Sequence, residues 1–126
     1  MMMRQPYQTY KEQSVMTMTS VEMLSMLYDR ILRELYTVNN AFEKQDYSEI
    51  NRGLQKVQQI LNHLKSTLDL KYDIARNLMS LYDYFSWLTL RANVKKDPAG
   101  LDEMTRMIGE LKDSYVRADK QARMHA

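Results

Sequence analysis

Ile50, Leu54, Val57, Leu61, Leu64 and Leu68 recur at an unbroken alternation of four and three residues. On a strand that spacing would scatter the side chains over both faces. On an α-helix it gathers them into one narrow stripe, a heptad seam. A helix with such a seam must have it covered by other helices, and the rest of the chain supplies them. Leu24, Leu27, Ile31, Leu35, Val38 and Phe42 recur at threes and fours upstream. Ile74, Leu78, Leu81, Phe85, Leu88 and Ala92 do so downstream, followed by Leu101, Met104, Ile108, Leu111, Tyr115, Ala118 and Ala122.

Local punctuation places the helices at about 20–44, 47–69, 74–93 and 98–122. Thr19 with Glu22, and Asp46 with Glu49, have capping-box spacing, in which the first side chain accepts from the amide three residues on. Asp73 is the expected cap of the third helix, and Asp97-Pro98 the cap and first residue of the fourth. Lys120 and Arg123 lie in the last turn, where cations suit the helix dipole. Gly53 falls inside the second seam at a cost of roughly 1 kcal/mol in helix propensity, which a close approach of a neighbour would explain. The short connections force successive helices to lie antiparallel. The fold expected is all-α: an antiparallel up-down-up-down four-helix bundle over residues 19–126, preceded by a mobile N-terminal arm over residues 1–18.

Composition agrees and narrows the function. The chain has 126 residues, enough for one domain with one core. Only 3 Gly and 2 Pro interrupt it, which favours long helices. With 18 basic and 16 acidic residues the net charge is +2, and the bases are spread out, Lys95-Lys96 being the densest pair. Neither a nucleic-acid partner nor an anionic membrane is expected from that balance. No run is apolar enough for membrane insertion, and Met1-Met2-Met3-Arg4-Gln5-Pro6 leads into no apolar stretch of a signal peptide. The absence of Cys excludes disulfides and thiolate metal sites and fits a reducing, cytoplasmic location.

The most unusual segment is Leu81–Asn93. Leu81, Phe85, Leu88 and Ala92 suffice for a core stripe, yet Tyr82, Tyr84 and Trp87, the only Trp, lie to its sides. So much aromatic surface beside a seam implies a second surface that something else covers. The 11 Met residues point the same way or to simple gap-filling, and the group Met16, Met18, Met23 and Met26 is compatible with either. In the arm, Tyr7 and Tyr10 are either incidental aromatics on a disordered segment or a detachable clasp for an apolar groove.

Catalytic and metal chemistry find no residues to carry them. No Glu-x-x-His of a di-iron bundle occurs, His63 stands alone and His125 lies at the C-terminus. There is no Gly-rich phosphate loop and no Ser or Thr near a His base. Asp83, between two tyrosines, reads as a helix-surface or tyrosine-bonded carboxylate. No enzyme activity and no cofactor are expected.

Several motifs in order resemble those of one family. They are Pro6-Tyr7-Gln8-Thr9-Tyr10, Ser14-Val15 with Thr17, and Met26-Leu27-Tyr28-Asp29. Further along are Ser66-Thr67-Leu68-Asp69, Leu81-Tyr82-Asp83-Tyr84, Arg91-Ala92-Asn93 with Asp97, Leu101-Asp102-Glu103-Met104 and Glu110-Leu111-Lys112-Asp113. Together they resemble the flagellin-specific export chaperones, the FliS family. Thr19-Ser20, Arg30, Ser25 and Tyr115 depart from that family's common residues, as in a divergent member.

The resemblance implies a cytosolic chaperone that binds the disordered C-terminal segment of flagellin. It would prevent premature polymerisation and deliver its client to the flagellar type III export gate without a nucleotide. A segment of that kind gains helix by laying apolar anchors along grooves between bundle helices. On the resemblance, Tyr7, Tyr10, Met26, Tyr28, Leu61, Leu64, Tyr82, Tyr84, Trp87 and Asn93 are the contact or gating positions, each with a packing role as the alternative. The competing expectation is a helical homodimer or adaptor that buries its extra aromatic face against a second copy or a different client.

Overall fold

The computed structural model describes the backbone of residues 6–124 and the side chains of residues 21–124. The described residues form four helices: α1 (Pro6–Glu43), α2 (Tyr47–Ser66), α3 (Asp73–Lys95) and α4 (Leu101–Met124). Among the described residues there is no strand. The described part of α1 runs from Pro6, so the helix extends through much of the stretch expected as an arm, and the Thr19–Glu22 pair lies inside it. The side chains of Tyr7 and Tyr10 lie outside the described residues.

The other helix starts divide. Asp46 caps α2, its Oδ1 accepting from Glu49 N at 3.1 Å, while the Glu49 carboxylate turns to Arg52 rather than back to the cap. That guanidinium holds the Glu49 carboxyl below its ordinary pKa. Asp73 does not cap α3; Tyr72 holds that position without a side-chain bond, and Asp73 is the first helical residue, paired with Arg76. Pro98 is not in α4. Asp97 Oδ1 accepts from Ala99 N at 3.0 Å, Leu101 N donates to Pro98 O, and Gly100 takes the left-handed conformation (φ 89°) that lets the helix begin at Leu101.

Contacts between neighbours run in opposite order along the two helices, as antiparallel packing requires. Asn51, Gln58 and Lys65 of α2 meet Asn93, Ser86 and Asp83 of α3 in turn. Asp29 of α1 is joined to Lys112 of α4 at 2.6 Å. α1 packs on α2 and α4, and α3 on α2, while α3 and α4 touch most sparingly.

The core follows the seams with one rotation. Tyr28, Ile31, Leu35, Val38, Ile50, Leu54, Val57, Leu61, Leu64, Leu101, Met104 and Ile108 are buried, as the periodicity predicts for most of them. On α3 the buried line is Ala75, Tyr82, Phe85, Leu88, Thr89 and Ala92, whereas Ile74 is 62% exposed and Leu78 and Leu81 are half-buried. Tyr82 and Thr89 can enter the core because their hydroxyls are satisfied there. Tyr82 bonds Tyr28, and Thr89 donates to Phe85 O at 2.7 Å.

Candidate functional site

The core is largely filled at one end of the bundle, although Phe42 there is half-buried beside a mixed polar and apolar cleft of about 550 Å³, and it is open at the other. At the filled end, Leu101, Met104, Ile50 and Leu54 are fully buried. At the open end, seam residues are only partly covered: Leu24 and Leu27 of α1, Leu68 after α2, Leu78 and Leu81 of α3, Leu111 and Tyr115 of α4. Further along α4, Ala118 and Ala122 are exposed. The apolar face of α4 is thus incompletely covered at this end.

Three grooves result. Between α1 and α4, Val21, Ser25 and Met26 face Val116, Lys120 and Met124 across a cleft of about 660 Å³ rimmed by Glu22, Asp119 and Arg123. Between α3 and α4, Ile74, Leu78, Leu81, Leu111, Tyr115 and Ala118 line an almost wholly apolar groove of about 380 Å³. A third, of about 230 Å³, has Met23, Leu24, Leu27, Leu68 and Leu78 on its walls, with Leu64 and Tyr82 reaching it from the core.

A separate apolar strip runs along the outer face of α3. Trp87 (52% exposed), Leu90 and Val94 follow one another at three and four residues. Tyr84 stacks beside Trp87 with ring centroids 6.1 Å apart, and the Arg91 guanidinium sits 4.7 Å from the Trp87 ring. Tyr84 Oη donates to Glu103 at 3.1 Å, a bond that raises the Tyr84 pKa and ties this rim to α4.

The residues singled out from the sequence therefore separate into groups. Met26 lines the α1–α4 cleft, and Tyr84 and Trp87 form the α3 strip. Tyr28, Leu61, Leu64 and Tyr82 are buried, with Leu64 and Tyr82 beneath the third groove. Asn93 lies near the filled end, where its Nδ2 donates to Asn51 Oδ1 at 2.9 Å and its Oδ1 accepts from Lys96. It braces α3 on α2 and is remote in sequence from every groove-lining residue of α3. Sequence reasoning missed Leu90 and Val94, which the same three-and-four spacing from Trp87 would have found. It also assigned Leu78, Leu81, Leu111 and Tyr115 wholly to the core.

Among the described residues, no group of three or more His, Cys, Asp or Glu side chains could hold a metal ion, and no helix is long and apolar enough to cross a membrane. What the open end offers is apolar groove surface with a charged rim, suited to an amphipathic polypeptide.

Comparison with known proteins agrees with that chemistry. The family model described as "Flagellar protein FliS" matches residues 3–122. The "Flagellar secretion chaperone FliS" of Bacillus subtilis (strain 168) is 29% identical over 123 residues, covering 98% of this chain and 92% of the relative. The protein of the same name from Vibrio cholerae is 30% identical over 119 residues, covering 90% and 88%. That of Salmonella typhimurium is 27% identical over 114 residues, covering 88% and 84%. The chain belongs to the FliS family, a family of flagellar secretion chaperones rather than enzymes.

Proposed function

We propose that this chain is a cytosolic export chaperone for flagellin. It holds the disordered C-terminal segment of the subunit, prevents premature polymerisation and delivers it to the flagellar type III export apparatus. The observation that carries the reading is the unfilled end of the core, where all four helices contribute apolar side chains to grooves that nothing in the chain's described residues fills. An amphipathic segment that folds on binding would complete that core much as a further helix would. Met26 is then a direct contact, Tyr84 and Trp87 extend the contact along α3, and Leu64 and Tyr82 shape the groove floor, with Tyr28 bonded to Tyr82 and Leu61 packed in the core behind them. Tyr7 and Tyr10 are proposed gating positions that yield to the client. Release needs no nucleotide, since hand-over at the export gate supplies the competing contacts.

Co-expression tests this reading. Flagellin with its C-terminal segment should co-purify with the chain, and flagellin lacking that segment should not. Equal recovery of both forms would reject it.

One observation favours a second reading. The strip Trp87, Leu90 and Val94 could instead be covered by a second copy, in a symmetric dimer through α3. Sedimentation of the client-free chain with quenching of Trp87 fluorescence distinguishes the two: a monomer leaves the strip for the client, and a doubled mass with Trp87 shielded from quencher assigns the strip to the dimer.

A further inference from the structure

Methionine exposure is distributed unevenly over the bundle. Met23, Met26 and Met124 are 39%, 65% and 71% exposed, and all three line grooves of the open end. Met104, at the filled end, is fully buried, and Met79 and Met107 are half-buried. The methionines most exposed to solvent among the described residues are thus the ones on the groove walls.

We propose that Met23, Met26 and Met124 form a reversible oxidation site that switches off client binding. The inference rests on the client reading given above. Hydrogen peroxide is the oxidant. A sulfur lone pair attacks one peroxide oxygen, the O–O bond breaks, and the departing hydroxide takes the remaining proton to leave as water. Each sulfur loses two electrons and becomes a sulfoxide while the peroxide is reduced. The product is polar where the groove wall was apolar and adaptable, so an incoming apolar anchor meets an S=O dipole that it cannot hydrogen-bond. Met26 and Met124 lie in the same cleft, so oxidation there changes both walls. Burial protects Met104, so the bundle itself persists.

The test uses the purified full chain, a peptide of the flagellin C-terminal segment, and a triple variant, Met23→Leu with Met26→Leu and Met124→Leu. After mild peroxide treatment, peptide mass spectrometry should find sulfoxide at Met23, Met26 and Met124 but not at Met104. The treated chain should keep its helical signal, bind the peptide at least about tenfold more weakly, and recover after the two epimer-specific methionine sulfoxide reductases with a dithiol, which gives up two electrons and two protons per sulfoxide as the oxygen leaves as water. Measured against its own untreated affinity, the triple variant, treated alike, should lose less than about twofold. Unchanged affinity with all three sulfoxides present would overturn the proposal. So would an equal loss in the triple variant, which would assign the effect to other methionines, or a loss of helix in the treated wild type. Failure of the untreated chain to bind would instead overturn the client reading, and this inference with it.

Discussion

Tyr28 and Tyr82 meet hydroxyl to hydroxyl, 2.6 Å apart, inside the bundle. Each satisfies the other where water is excluded, and the pair ties α1 to α3 across the core beside the third groove. Replacing either by Phe leaves one buried hydroxyl without a partner. Tyr28→Phe and Tyr82→Phe should each cost about 1–3 kcal/mol, and the double variant clearly less than their sum. Urea denaturation of the four proteins provides the cycle. Strictly additive losses would show that the two hydroxyls do not depend on each other.

The same pair sets a limit at alkaline pH. Burial, first of all, raises the pKa of both Tyr28 and Tyr82, and it raises that of Tyr115 as well. An unfolded tyrosine ionises near pH 10. With folded values above that, the stabilisation is complete below about pH 10 and is lost as pH rises through the folded values, because the unfolded chain releases its protons first. The denaturation midpoint should fall steeply above about pH 10, and the double Phe variant should fall less steeply. Parallel curves for the two proteins would contradict this origin.

Two glycines should respond in opposite directions. A Cβ on Gly53 would overlap Cγ2 of Val38, so α1 and α2 approach here more closely than alanine permits. Gly53→Ala gains about 1 kcal/mol of helix propensity but should lose more to overpacking, for a net lowering of Tm that Val38→Ala partly relieves. Gly109, in α4, borders open space: a Cβ there would meet no atom within 4 Å. Gly109→Ala should therefore stabilise by about 0.5–1 kcal/mol. Thermal melts of both variants check the signs.

The sequence pattern conveyed some of this and hid the rest for physical reasons. The α2 seam was legible because its residues are covered on both sides: Ile50, Leu54, Val57, Leu61 and Leu64 are all buried. The Asp46 cap was legible because it is a contact made within three residues. The face that α3 turns inward was not, since Tyr82 and Thr89 look like surface residues until their partners are known. The partner of Tyr82 lies 54 positions away. Periodicity also marks an apolar face without saying whether a neighbour covers it. Leu78, Leu81, Leu111 and Tyr115 therefore looked like ordinary core, although they line a groove. Trp87 was legible as exposed because the seam beside it was already complete.

Trp87 offers a direct test of the α3 strip. It is half exposed and contacts Tyr84 and Arg91, not the core cluster. Trp87→Ala should leave helical content and melting cooperativity near wild type while weakening client binding about tenfold or more, as expected for an aromatic anchor. Circular dichroism and peptide titration read the two effects separately. A comparable loss of fold would make Trp87 a structural residue instead.

In the function proposed, the open end is completed by a segment of flagellin that folds as it binds. Calorimetric titration of the full chain with the C-terminal segment of flagellin from the same organism, followed in parallel by circular dichroism, tests it most directly. Saturable one-to-one binding is expected, with a gain of helix beyond the sum of the separate spectra and a negative heat-capacity change from apolar burial. A folded chain that shows no binding at tens of micromolar, or binding with neither helix gain nor heat-capacity change, would contradict it.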